Sequence, residues 1–154
     1  MMKRSMALVG LVLTVMAVAL MAACSSQSKP AMTFQTIGIR GETVFVTLVS
    51  PSADEVSSAD LASRLRQDWQ DQLYRGYEIQ VMVFDNKEAP ERWLELWDAS
   101  VGEWEVAKAQ IYPHWIATYS RNIIAGLHQV EILSRDANAD VLQTIRFPSP
   151  NSPN

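Results

Sequence analysis

Apolar and polar positions follow different periods in successive stretches of the chain. Residues 43–49 (TVFVTLV) are β-branched and apolar with little polar interruption, which predicts a strand. Residues 34–40 alternate less cleanly, Phe34, Thr36 and Gly38 against Gln35, Ile37 and Ile39, and predict a weaker strand joined to the first by a turn at Gly41–Glu42. Pro51 and the Ser-Ala-Asp-Glu run that follows break the second strand. A four-residue period then takes over. Leu61, Leu65, Trp69 and Leu73 predict a helix capped by Ser57 or Ser58, with Asp60 in its first turn and Gly76 as its stop. Residues 77–84 (YEIQVMVF) return to period two and place Tyr77, Ile79, Val81 and Val83 on one face of a second buried strand.

Strand, helix and strand over residues 43–84 predict a parallel pair joined by a right-handed crossover. Asp85–Asn86 caps a second helix over about residues 87–99, with Pro90 tolerated in its first turn. Residues 100–109 read as irregular. Residues 111–120 and 127–134 predict strands, and residues 141–147 read as a strand or as a helix beginning at Asn138 or Asp140. In the hairpin near residues 121–126, pairing Thr118 with Gln129 gathers Trp115, Ala117, Tyr119, Val130 and Ile132 on one face. His114, Thr118, Gln129 and Glu131 fall on the other, and His128 lies opposite Tyr119. The expected fold is α+β: one small domain, a mixed sheet with a βαβ unit and two helices on one face.

Composition narrows the classes. A chain of 154 residues, 48% hydrophobic, supports one globular domain. The single cysteine, Cys24, excludes an internal disulfide and a cysteine-rich zinc site. Past Cys24 the chain carries 11 basic and 17 acidic residues, a balance of −6 that argues against nucleic acid as a partner.

The N-terminus carries the clearest message. Lys3 and Arg4 head an uncharged apolar stretch over residues 6–23, and Met21-Ala22-Ala23-Cys24 is followed by Ser25 and Ser26. A positive head, an apolar middle and small residues at the end are the signature of a secretory signal segment. Eighteen apolar residues are at the short end for a membrane span, the other reading of this stretch. Residues 21–24 resemble the lipobox of bacterial lipoproteins, with Met21 in place of the usual leucine. The resemblance implies a signal peptide over residues 1–23 and lipidation at Cys24, whose thiolate is the nucleophile that the acyl transfer needs. Two acyl chains suffice for stable anchoring. It further implies an extracytoplasmic, membrane-anchored protein, on the outer membrane if the source is Gram-negative, because no aspartate follows the cysteine. Residues 24–32 are then the lipidated cysteine and a short tether, residues 33–147 the domain, and residues 148–154 a flexible tail. Residues 43–93 are similar in pattern to small βαβ domains of uncharacterised extracytoplasmic bacterial proteins, a resemblance that implies half a fold and no reaction.

Little else points to chemistry. The two histidines have no metal-ligand spacing, the six glycines are too dispersed for a phosphate loop, and no nucleophile elbow occurs, so neither a metal nor a cofactor is expected. Glu88, Glu91, Glu95 and Asp98 form an acidic stripe that reads first as a solvated helix face. Five tryptophans are the better lead, three of them in WLELWDASVGEW. Trp93 and Trp97 share a helical face with Ala89 and either pack on the sheet or, with Trp104, make an exposed aromatic surface edged by Tyr112 and His114. Such a surface suits an envelope protein or a glycan. The function expected is a binding or scaffold module; the alternatives are a small enzyme using an Asp or Glu with His128 or Tyr119, and a self-assembling structural lipoprotein.

Overall fold

A computed structural model describes residues 31–74 and 76–148. The signal segment, Cys24 and residues 149–154 of the expected tail lie outside the described residues. Six strands form one mixed sheet in sequence order: β1 (Thr33–Arg40), β2 (Thr43–Ser50), β3 (Glu78–Phe84), β4 (Trp115–Asn122), β5 (Leu127–Leu133) and β6 (Val141–Arg146). Only β2 and β3 run parallel, and every other pair is antiparallel. That parallel pair is joined by α1 (Ser58–Trp69), which begins where the Ser57 hydroxyl accepts the Asp60 N–H. Asp60 occupies the expected first-turn position, but the helix ends at Trp69, ahead of Leu73. Residues 141–146 are strand, which settles their two readings.

The α+β class, the single mixed sheet and the βαβ unit are as expected, whereas the placement of two helices on one face is not. Among the described residues three α-helices cover both faces. Leu61, Leu65 and Trp69 of α1 pack against Val44, Val46, Val81 and Tyr119. On the opposite face α2 (Glu88–Glu95) and α3 (Val101–Ile111) cover Phe45, Met82 and Phe84. The reason lies in β2 and β3 themselves. Their apolar runs are continuous, so each buries both faces and needs a cover on each side.

The stretch expected to be irregular holds α3. Ser100 accepts the Glu103 N–H while the Glu103 carboxylate accepts the Ser100 N–H at 3.0 Å, a reciprocal capping box. The S-x-x-E spacing of residues 100–103 is the signal that marks this helix in the sequence.

The β4–β5 register also differs. Thr118 faces Glu131 and Ser120 faces Gln129, two residues from the expected pairing, because the strands stay paired to Asn122 and Leu127 around a shorter turn with Gly126 at φ +66°. A two-residue shift preserves the faces, so Ala117, Tyr119 and Val130 remain together. Trp115 does not stay with them. A bulge sets Val83 opposite Ala117 and Phe84 opposite Trp115, turning Trp115 to the α2–α3 side.

Candidate functional site

The α2–α3 layer is held by an aromatic cluster. Asn86 accepts the Ala89 N–H at 3.0 Å and starts α2, which seats Ala89 and Pro90 in the core and points Trp93 toward the sheet. The Trp93 ring lies 6.0 Å from Phe45 and Phe84, 5.3 Å from Trp115, 4.8 Å from Trp104 and 6.1 Å from Tyr112. Leu94 lies over Gly38 of β1, where an added Cβ would meet its methyl at 2.5 Å. This close approach explains a glycine inside a strand.

The expected helix over residues 87–99 stops at Glu95, and Trp97 lies in the turn that follows α2. Trp97 touches Phe45 edge-on at 6.0 Å yet is 46% exposed. Between it and α3 lies a groove of about 410 Å³ lined by Trp93, Leu96, Trp97, Ala99, Val101 and Trp104, with Val101 exposed at its edge. Both expectations for the tryptophans therefore hold in part: Trp93 packs on the sheet, and Trp97 presents an aromatic surface.

Tyr112 belongs to the same cluster through Trp93 and Trp104. His114 does not. Its Nδ1 donates to Asp85 Oδ1 at 2.8 Å, at the end of β3 and the entry to β4. The Asp85 carboxylate, 10% exposed, also accepts from Arg135, whose guanidinium reaches Asp54 as well. The Asp85 bond fixes the ring through Nδ1 and leaves Nε2 as its other polar atom. His114 lines a second groove of about 400 Å³ at the other end of the α2–α3 seam, with Asn86, Glu88, Glu91, Arg92 and Gln110 along its walls. The sequence contains both halves of the His114–Asp85 pair, but 29 residues separate them and no local spacing joins them.

The shifted register sets His128 opposite Arg121 and not Tyr119, yet its Nε2 still reaches the Tyr119 phenol oxygen at 3.2 Å, with Nδ1 near the Pro148 carbonyl at 3.4 Å. Both side chains are buried, and among the described residues neither hydrogen-bonds a carboxylate. Burial lowers the His128 pKa below its usual 6.5 and pushes that of Tyr119 up to about 12. The signs give a pH dependence. An imidazole that resists protonation in the fold favours unfolding once protons bind the unfolded chain, so stability is lost as pH falls below 6.5 and through the folded value. Tyr119 acts at the alkaline end, where stability declines as pH rises above 10.0 and through about 12. Thermal melts across pH are expected to show both arms, and His128→Asn should remove the step just below neutrality.

The acidic stripe is solvated and partly paired, Lys87 with Glu91 at 3.4 Å and Arg92 with Glu95 at 2.9 Å. Among the described residues no group of three His, Cys, Asp or Glu side chains is placed to hold a metal, and no helix is long and apolar enough to cross a membrane. No family model, curated protein or solved structure matches the chain.

Proposed function

We propose that this chain is a lipid-anchored lipoprotein of the cell envelope, acting as a binding or scaffold module whose partner is another envelope protein. The observation that carries the reading is the groove between Trp97 and Trp104: indole surface stays open to solvent at 46% exposure beside a core that buries its neighbours. Large aromatic side chains in partly open pockets are the residues that dominate protein interfaces. The N-terminal pattern supports the envelope and the anchor, since Lys3, Arg4, the apolar stretch and Met21-Ala22-Ala23-Cys24 stand in lipoprotein order. Eight residues separate Cys24 from Thr33, a reach of at most roughly 30 Å, which keeps the domain close to the bilayer surface.

Two measurements test this. Cys24→Ser is expected to abolish incorporation of labelled acyl chains and to leave the protein as precursor or release it; unchanged labelling refutes the anchor. Crosslinking of the intact protein in its own membrane is expected to join Lys87 or Lys108, which flank the tryptophan-rich segment, to one recurring envelope protein. Links only between copies of this chain would make it a self-assembling lipoprotein instead.

A further inference from the structure

The two grooves lie at opposite ends of one seam, and their chemistry differs. At the α2–α3 turn the walls are indole and aliphatic, Trp93, Leu96, Trp97 and Trp104. At the α2 start and α3 end they are polar and acidic, Glu88, Glu91 and His114, with Arg92 the cation among them. Over residues 88–111 six carboxylates stand against two cations, Arg92 and Lys108. The ion pairs there are exposed, and pairs of that kind contribute about 0–1 kcal/mol, so an incoming cation exchanges with Lys87 or Arg92 at little cost. Glu88 makes no ion pair among the described residues. His114, with Nδ1 on Asp85, turns its other ring nitrogen, Nε2, to the groove as a further polar group.

We infer that the seam is a two-part docking site for a basic segment of a partner protein, with an apolar side chain in the tryptophan groove and a Lys or Arg in the groove of Glu88, Glu91 and His114. This rests on the binding-module reading and specifies the partner's chemistry. Charge selects the occupant. An acidic helical layer repels anionic lipid and attracts a basic chain, and it speeds encounter while the aromatic groove supplies the anchor. A second copy carries the same acidic layer and repels it. Geometry sets the spacing. From Val101 to Gln110 the seam spans nine residues of helix, about 14 Å at 1.5 Å per residue. An extended peptide covers that distance in about four residues.

A decapeptide library screened against the full-length lipidated protein in detergent tests it. The expected outcome is enrichment of Lys or Arg about four residues from Leu, Phe or Trp. Selected peptides should lose about tenfold or more in affinity on Trp97→Ala, and a severalfold part of their affinity, with a shallower salt dependence, on Glu88→Gln with Glu91→Gln. All three side chains are at least partly exposed, so these variants fold, and unchanged circular dichroism confirms it. Selection of nothing, selection without basic residues, or basic peptides that bind all variants alike overturns the inference. So does a chitooligosaccharide that quenches Trp97 where the peptides do not, or dimerisation of the protein that Trp97→Ala abolishes. The membrane crosslinks separate the two levels. A recurring protein partner at Lys87 or Lys108 with no basic selection leaves the binding module standing and removes only this description of its partner.

Discussion

Trp93→Ala is expected to destabilise the domain by about 3 kcal/mol, whereas Trp97→Ala, four residues on in the turn that follows α2, should cost about 1 kcal/mol or less. The difference follows from the surroundings. Trp93 packs against five rings from β2, β3, α3, the turn after it and β4. Its removal opens a space that the rigid sheet beneath cannot close, so the transfer and cavity costs add. Trp93 is only half-buried, which keeps the figure at the lower end of the range for large aromatics. Trp97 has one ring neighbour, Phe45, and already faces water. Urea unfolding reads the two costs directly, and near-ultraviolet circular dichroism should collapse for Trp93→Ala and persist for Trp97→Ala. Equal costs would mean that Trp97 is a core residue, and the binding surface would lose its centre. Loss of peptide or crosslinked partner in Trp97→Ala, at nearly full stability, is the combination the proposed function requires.

The legible part of the fold was the part carried by short periods. The runs TVFVTLV and YEIQVMVF became β2 and β3, and Leu61, Leu65 and Trp69 became the buried stripe of α1, because in each case burial of one contiguous segment decides the structure. What escaped depended on distant partners or on side-chain capping. Helix α3 lacks a clear apolar stripe, since Val101 and Val106 are exposed, and only its Ser100–Glu103 box announces it. The bulge that carries Trp115 to the aromatic cluster is a property of the β3–β4 pairing, invisible in β4 alone. Continuous apolarity in β2 did contain the answer to which faces the helices cover: a strand that faces water on one side alternates, and this one does not. For the site, the tryptophans and His114 were legible as candidates from residue type. Their division into two grooves was not, because each groove takes residues from both α2 and α3, which no local spacing brings together.

That division of the molecule by its sheet leads to the other large effect. Leu65→Ala is expected to cost about 3 kcal/mol, or a fall in Tm on the order of 10–15 °C for a domain of this size. Leu65 is fully buried at the middle of α1, with Leu61, Ala62 and Trp69 beside it against Val46 and Val81. No disulfide within the chain shares the load, because Cys24 is the only cysteine. The sheet stands between this cluster and the aromatic one, and the two sets of buried residues have no member in common. The native-state signal should therefore divide in the same way. Trp69 lies on the α1 side, and Trp93, Trp97, Trp104 and Trp115 on the other, so Leu65→Ala should alter at most the Trp69 share of native fluorescence and leave iodide quenching at Trp97 unchanged. Affinity for the partner at temperatures well below the new Tm should then match that of the parent. If affinity falls together with Tm while the protein is still folded, the two faces are coupled through β2 and β3, and the groove depends on the α1 core as well as on the aromatic cluster beneath it.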